Sequence, residues 1–450
     1  MEDTIVAIST ALGVGAISIV RVSGTDAISI VNSVFNGKNL EEVPTHTINY
    51  GKIVDNKDEI DEVLISIMRA PRTFTREDVV EINCHGGIMT TQKVLELLIR
   101  KGCRLAEPGE FTKRAFLNGR IDLTEAEGIM DLIDAKTENM RKMAMNKVNG
   151  RVSGMIKNLR DSLAQIISNI EVNIDYPEYD DIEEMTVDMI RDRVSNIENE
   201  ISKILKESES GKILKEGIKT SIIGRPNVGK SSLLNLLLDE DKAIVTDIEG
   251  TTRDIVEGTL NLDGIVLNMI DTAGIRKTDN IVEQIGVNKS IDLIEKSDLI
   301  LFVLNNNEEI TEDEIKLYEQ VKNKNHIIII NKIDLENKLK LPFDDENIIK
   351  MSTLNNTGLD DLKEIIKKLF KLENIETSDF TYITNSKDIA ILKDCLDSIN
   401  DIKESLKHDI SIDMIEIDIK NIWNKLGEII GLTYEDELID YMFSHFCLGK

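Results

Sequence analysis

The chain has 450 residues, enough for roughly two to four domains with buried cores. A charged fraction of 30%, six prolines and few aromatics suit a helix-rich, well-solvated protein, while a net charge of −28 argues against sequence-independent attraction to nucleic acid, which needs a cationic face. Cys84, Cys103, Cys395 and Cys447 stand far apart without a C-x-x-C pair, which argues against a disulfide framework or zinc site and fits a reducing compartment. The N-terminal Met-Glu-Asp carries no basic or apolar leader, and no run approaches the roughly 18 apolar residues of a membrane span, so a soluble, cytoplasmic protein with no membrane partner is expected.

In chain order, strand-like runs fall at 16–22, 62–68 and 79–84, followed by an amphipathic helix near 91–100, so residues 1–118 read as a compact α+β unit. From about Ile121 the period becomes helical. Ile156, Leu159, Leu163, Ile166, Ile167, Ile170 and Ile174 follow three- and four-residue steps along one face of a long helix, which needs a partner to cover it. Residues 139–160 carry six cations (Arg141, Lys142, Lys147, Arg151, Lys157, Arg160) and no acid, whereas 171–200 is heavily acidic. The basic run reads either as a solvated helix face or as a patch for RNA or a partner. A second helical stretch at 389–441, with Ile389, Leu392 and Leu396 among its apolar steps, is expected to cover the first.

Between the helical stretches, short apolar strands at 218–223, 265–270, 299–303 and 327–330 alternate with helices. This is the pattern of a doubly wound α/β sheet with ligand loops at the carboxyl ends of its strands. The expected domains are 1–118, 119–216, 217–376 and 377–450, the third inserted into an all-α helical-bundle domain formed by the second and fourth.

The inserted segment carries the chemistry. G-R-P-N-V-G-K-S-S at 224–232 joins a strand to a helix, which places Asn227, Val228, Gly229, Lys230, Ser231 and Ser232 to cradle phosphates. Lys230 should reach the β- and γ-phosphates as a point charge, and the Ser231 hydroxyl should ligate Mg²⁺. T-D-I-E-G-T-T-R-D at 246–254 lies where a first switch loop belongs, contributing Thr246, Asp247, Ile248, Glu249, Gly250, Thr251 and Thr252, the last as a second Mg²⁺ ligand. In D-T-A-G at 271–274, Asp271 would hold Mg²⁺ through water, Thr272 and Ala273 complete the turn, and the Gly274 N–H would sense the γ-phosphate. N-K-I-D at 331–334 makes the base guanine: Asn331 braces the phosphate loop, Lys332 stacks its stem on the purine, and Asp334 accepts from N1–H and the exocyclic amine, a donor pair that adenine lacks. M-S-T-L-N at 351–355, with Ser352 and Thr353, could give a backbone N–H to the guanine oxygen. Together these motifs read as a P-loop, Ras-like GTP-hydrolysing switch.

Hydrolysis needs a group to orient water. Ras-like proteins place a glutamine after D-T-A-G, but Ile275 stands here and can neither donate nor accept. Two substitutes present themselves: Asn227, whose side-chain oxygen suits a monovalent cation standing in for an arginine finger, and Glu283, which could position the water. Lys230 and Glu283 are the expected catalytic residues. Cys447 near His445 lacks a fixed geometry that would activate a thiolate, and His85 reads as a turn residue rather than a base.

These nucleotide motifs, D-T-A-G-I-R at 271–276 and the terminal F-C-L-G-K at 446–450, with D-T-I-V-A at 3–7, E-I-N-C-H-G-G at 81–87, P-G-E-F-T-K-R-A-F-L-N-G-R at 108–120 and I-D-Y-P-E at 174–178, resemble the MnmE (TrmE) family of tRNA-modification GTPases over the whole chain. The resemblance implies K⁺ ligation by the Asn227 and Thr251 side chains and the Thr246 and Ile248 carbonyls, with Glu283 orienting water. It implies that residues 1–118 form a tetrahydrofolate-binding-like domain that dimerises constitutively, with Arg21, Glu81, Arg120 and Lys450 lining a pocket for 5,10-methylenetetrahydrofolate or its 5-formyl analogue. It implies further that a homodimer, with the flavoprotein MnmG (GidA) in a heterotetramer, installs an aminomethyl-type group at carbon 5 of the wobble uridine of tRNA. The rival readings are a ribosome-assembly GTPase and a non-enzymatic, GTP-regulated scaffold.

Overall fold

The computed structural model describes residues 3–175, 187–240, 256–270, 293–373, 379–408, 412–433, 439, 442–444, 446 and 449. The chain divides into two compact units, one of Met1–Met130, Lys147–Glu171 and Glu416–Lys450, the other of Asp131–Asn146 and Val172–Ile415.

The first unit is built on β1 (Ile5–Ile8), β2 (Ile17–Ser23), β3 (Phe35–Asn36), β4 (Thr47–Asp55), β5 (Asp58–Met68), β6 (Val79–His85) and β7 (Arg104–Leu105). They form one sheet in the order β3-β4-β5-β6-β2-β1-β7, antiparallel throughout except for the parallel β1 and β7 pair. Alternation sorts the faces: Val20, Val22, Ile65 and Ile82 are buried with Val94, Leu97 and Leu98 of helix Ile88–Arg100. The opposite face leaves Ile17, Ile48, Tyr50 and Leu64 exposed at 61%, 69%, 66% and 46%. On that same face Arg21 lies opposite Glu81 in the β2–β6 register.

Helix Glu110–Leu117 locks onto this sheet through a buried charge network. Arg114, 1% exposed, holds Asp3 at 2.8 Å, Glu110 at 3.0 Å and Glu77 at 3.1 Å, and Glu110 is also bound by Arg104. Glu110→Gln would remove one of the three carboxylates around the buried Arg114 and the buried partner of Arg104, leaving Asp3 and Glu77, so we expect a loss of about 1 to 2 kcal/mol in urea unfolding of this unit. The network also sets an acid limit. The Arg104 hydrogen bond holds the Asp3 carboxyl below its ordinary 3.8; at Glu110 burial pushes upward, but hydrogen bonds from Arg104, the Glu107 backbone and Arg114 outweigh it and hold the group below 4.5. Both groups bind a proton less readily folded than unfolded, so their stabilisation is complete above those ordinary values and is lost as pH falls through the depressed ones.

The helical segments follow the apolar stripes. Helix Arg151–Asp175 buries Ile156, Leu159, Leu163, Ile166, Ile167 and Ile170, whereas Ile174, in its last turn, is half exposed. The basic run is dispersed rather than gathered: Arg141 pairs with Glu138, Lys147 is buried beside Glu127, Lys157 pairs with Asp122, Lys142 lies over Phe380, and Arg160 stacks on Trp423 at 4.0 Å. That local pairing favours the structural over the RNA-facing reading. Within the second unit, Val187–Glu216 packs along Ser386–Ser405, burying Ile190, Val194, Ile197 and Ile201 with Ile391, Leu392, Cys395 and Ile399. Ile389 and Leu396 sit at the flank of that stripe and are only partly buried, because the covered face is centred one position earlier, on Asp388, Cys395 and Ile399.

The second sheet contains β8 (Ile218–Ile223), β9 (Val256–Leu262), β10 (Ile265–Ile270), β11 (Leu299–Asn305), β12 (His326–Asn331) and β13 (Ile348–Lys350), ordered β13-β12-β11-β8-β10-β9. All neighbours are parallel except β9 and β10. Both faces are covered, which explains the uninterrupted apolar runs: Leu299, Leu301 and Val303 enter one core while Ile300, Phe302 and Leu304 enter the other. Among the described residues, no helix is long and apolar enough to cross a membrane.

Candidate functional site

The carboxyl ends of β8, β11, β12 and β13 converge on one loop cluster. Residues 224–229 run from the end of β8 into helix Lys230–Glu240. Gly224 has φ 147° and a Cβ there would lie 2.4 Å from the Val303 carbonyl oxygen; Gly229 has φ 106° and a Cβ would lie 2.1 Å from Asn331 Nδ2. Only glycine permits this turn. Lys230 Nζ donates to the Gly224 and Arg225 carbonyl oxygens at 2.8 and 2.7 Å, so the ammonium lies across the loop whose N–H groups would take phosphate. Asn227 takes a left-handed φ of 61° and is exposed.

The base-reading loop is fastened to the phosphate loop by Asn331, which is fully buried. Its Nδ2 donates to the Val228 carbonyl at 3.0 Å, and its Oδ1 accepts from the Thr353 N–H at 3.2 Å, so one amide joins three loops. Lys332 Nζ donates to the Asn227 carbonyl at 2.6 Å. Ser352 Oγ donates to Asp334 Oδ1 at 2.5 Å, which aims the carboxylate through a side chain; sequence reasoning had credited this segment only with a backbone N–H.

Two supports escaped the sequence reading. Asn306 donates its backbone N–H to the Asn331 carbonyl and its side-chain amide to the Leu335 carbonyl, while its own carbonyl accepts from Lys338 and Leu339. The asparagines Asn305 and Asn306, directly after the apolar run 299–304, were the available signal. Arg225 lies 3.5 Å from Glu308 and 3.7 Å from Glu314, the latter also closing the N-terminal capping box of helix Glu312–Val321.

Thr246, Asp247, Ile248, Glu249, Gly250, Thr251, Thr252, Asp271, Thr272, Ala273, Gly274, Ile275 and Glu283 lie outside the described residues, as do His445, Cys447 and Lys450. Of the expected K⁺ ligands the structure therefore places Asn227, and of the expected Mg²⁺ ligands Ser231, which opens the helix after the phosphate loop.

In the first unit, Arg21 Nε donates to Glu81 Oε1 at 2.9 Å and Arg21 Nη1 to the Gly449 carbonyl at 3.3 Å, which Ser9 Oγ also reaches at 3.1 Å. The Arg21 guanidinium lies 5.6 Å from the Phe111 ring centre; Arg120 lies 5.1 Å from the Phe74 ring centre and donates to the Phe74 carbonyl. A carboxylate, flat ring faces and guanidinium groups suit a folate, whose pterin donates to a carboxylate and whose glutamate is anionic. Burial pushes the thiols of Cys84 and Cys103 up to about 12, which leaves both without nucleophilic thiolate. His85 holds Asp61 at 2.7 Å through both its ring and its backbone N–H and ties the end of β6 to β5.

A family model for the MnmE helical domain matches residues 123–447, and one for the GTP-binding protein TrmE N-terminus matches residues 4–120. A protein named tRNA modification GTPase MnmE from Ligilactobacillus salivarius is 53% identical over 100% of this chain and 98% of its own length. Proteins of the same name from Bacillus licheniformis and Staphylococcus aureus are 52% and 50% identical, covering 100% of this chain and 100% and 99% of theirs.

Proposed function

The chain belongs to the MnmE family of tRNA modification GTPases, and from that footing we propose that it is a K⁺-activated GTP hydrolase acting in folate-dependent addition of an aminomethyl-type group to carbon 5 of the wobble uridine in tRNA. The observation that carries the nucleotide reading is the Asn331 amide, which ties the phosphate loop at Val228 to the base-reading loops, so that a GTP filling one end of the site orders the other. Lys230 would exchange its loop carbonyls for phosphate oxygens, Ser231 and Thr252 would hold Mg²⁺, which would neutralise phosphate charge, and Asp334 would read guanine with Ser352 fixing its orientation. A monovalent cation would supply positive charge where it develops against the transferring phosphate. Asn227 is the placed member of its ligand set, with Thr246, Ile248 and Thr251, and Glu283 holds the attacking water.

The Arg21–Glu81 pair and Arg120 on Phe74 support 5,10-methylenetetrahydrofolate as the one-carbon source, with Lys450 completing the pocket. The exposed apolar residues Ile17, Ile48, Tyr50 and Leu64 support a homodimer through the first sheet, since an isolated sheet face of this kind gains by being covered. The flavoprotein MnmG (GidA) is the proposed second enzyme, the assembly working on tRNA in the cytoplasm. Nucleoside mass spectrometry of tRNA from cells lacking the protein is expected to show the modified wobble uridine gone; unchanged wobble uridine would refute the reading.

A further inference from the structure

Resting on the folate reading, we propose that Arg72 and Arg76 extend the pocket as a subsite for the poly-γ-glutamate tail of the one-carbon carrier. The proposed pocket is one end of a continuous track of side chains. Glu81 binds Arg21, Arg21 lies over Phe111, Phe111 shares an apolar cluster with Phe74, and Phe74 carries Arg120. Beyond Arg120 the cationic side chains continue. Arg76, at a left-handed φ of 59°, donates to the Asn118 carbonyl at 2.8 Å, and Asn118 Nδ2 donates back to the Thr75 carbonyl at 2.6 Å, so segment 72–76 and the turn 118–120 are clamped together. Arg72, Arg76 and Arg120 are all exposed.

The charges of these two segments are sorted by side. Glu77 and Glu110 turn inward to the buried Arg114, whereas Arg76 and Arg120 spend their hydrogen bonds on carbonyl oxygens and not on carboxylates. The exposed charged side chains of the two segments are Arg72, Arg76 and Arg120, bounded by the half-buried Asp78, which accepts from the Ala70 N–H, and Asp122, which pairs with Lys157, and they lie beside the end of the track where a folate glutamate would sit. A pterin held at Glu81 and a first glutamate at Arg120 would send each further γ-linked glutamate toward Arg76 and Arg72. A short anionic tail fits better than an extended RNA backbone, because a net charge of −28 repels a long polyanion while leaving a local cationic corner effective.

The test measures binding of 5-formyltetrahydrofolate carrying one or five glutamates to the full-length protein and to the Arg72→Gln/Arg76→Gln double variant, with thermal melting to confirm folding. The wild type is expected to bind the pentaglutamate about tenfold more tightly than the monoglutamate at low salt, with the gap closing as salt rises. In the double variant the gap should collapse while monoglutamate affinity changes only a few-fold, since the Asn118 to Thr75 hydrogen bond still holds the turn that carries Arg120. Equal affinity of the wild type for both forms, or a gap that survives in a folded variant, overturns the subsite alone. Failure of the wild type to bind either form overturns the folate reading and the subsite with it. Loss of tRNA affinity in the variant with its glutamate preference intact would assign the arginines to RNA and likewise overturn the proposal.

Discussion

Asp334→Asn is expected to turn the nucleotide preference from guanine to xanthine. Against guanine, an asparagine amide keeps one acceptor for N1–H but places its own N–H₂ against the exocyclic amine, donor against donor. Xanthine carries a carbonyl at that position, so the same amide becomes complementary to it. Losing one charge-assisted hydrogen bond and weakening the other costs about 4 kcal/mol, roughly 10³-fold in affinity. The surroundings favour a clean switch. Ser352 Oγ, which donates to Asp334 Oδ1 at 2.5 Å, can donate equally to an amide oxygen, and Asn331 and Asn306 hold the loop from the other side. Competition between GTP and XTP for a fluorescent analogue measures the effect: the variant should lose GTP affinity by about three orders of magnitude, bind XTP, and hydrolyse it. Retained GTP affinity would remove Asp334 from the base site.

The contrast between Asp334 and Ser352 shows what a sequence conveys here. Residues 224–232 and 331–334 were legible because phosphate and guanine chemistry demand fixed residue types at short, local spacing, and a strand-to-helix turn needs glycine where Gly224 and Gly229 meet backbone and amide atoms. The sheet strands were legible for a related reason: burial on both faces leaves continuous apolar runs such as those of β11 and β12. Asn306 and Arg225 were not, because each acts on a loop far along the chain and an isolated Asn or Arg has no periodic signature. β4 was overlooked because its pattern is inverted: Asn49 and Gly51 face the core while Ile48 and Tyr50 line the exposed face of the first sheet.

The buried charges follow the same logic in reverse. Arg114 is 1% exposed because Glu110, one turn earlier on its own helix, is joined by Asp3 and Glu77 from distant parts of the chain. Composition cannot reveal such convergence. The cations of 139–160 are likewise separated in the fold, since helical periodicity points successive residues to different sides: Arg141, Lys147 and Lys157 meet carboxylates, while Lys142 and Arg160 lie over aromatic rings.

Potassium dependence is the second large effect expected, and it follows from what the segment after D-T-A-G lacks. Ile275 offers no group to orient the attacking water, and in the proposed mechanism a monovalent cation supplies the charge compensation at the transferring phosphate. Asn227 is the residue we propose for that role: its backbone is held at φ 61° with its carbonyl engaged by Lys332 Nζ at 2.6 Å, and its side chain is exposed. Replacing KCl by NaCl at constant ionic strength should therefore lower kcat by about 10³-fold, the low end of what an arginine finger contributes, with GTP affinity changed only a few-fold. Rubidium and ammonium, close to potassium in size, should restore the rate where sodium and lithium do not. Asn227→Ala assayed in KCl should reproduce the sodium rate, and adding more KCl should not rescue it. A cation-indifferent wild type, or an Asn227→Ala variant that still responds to potassium in full, would move the missing positive charge to another group and leave Asn227 with the geometry of the loop alone.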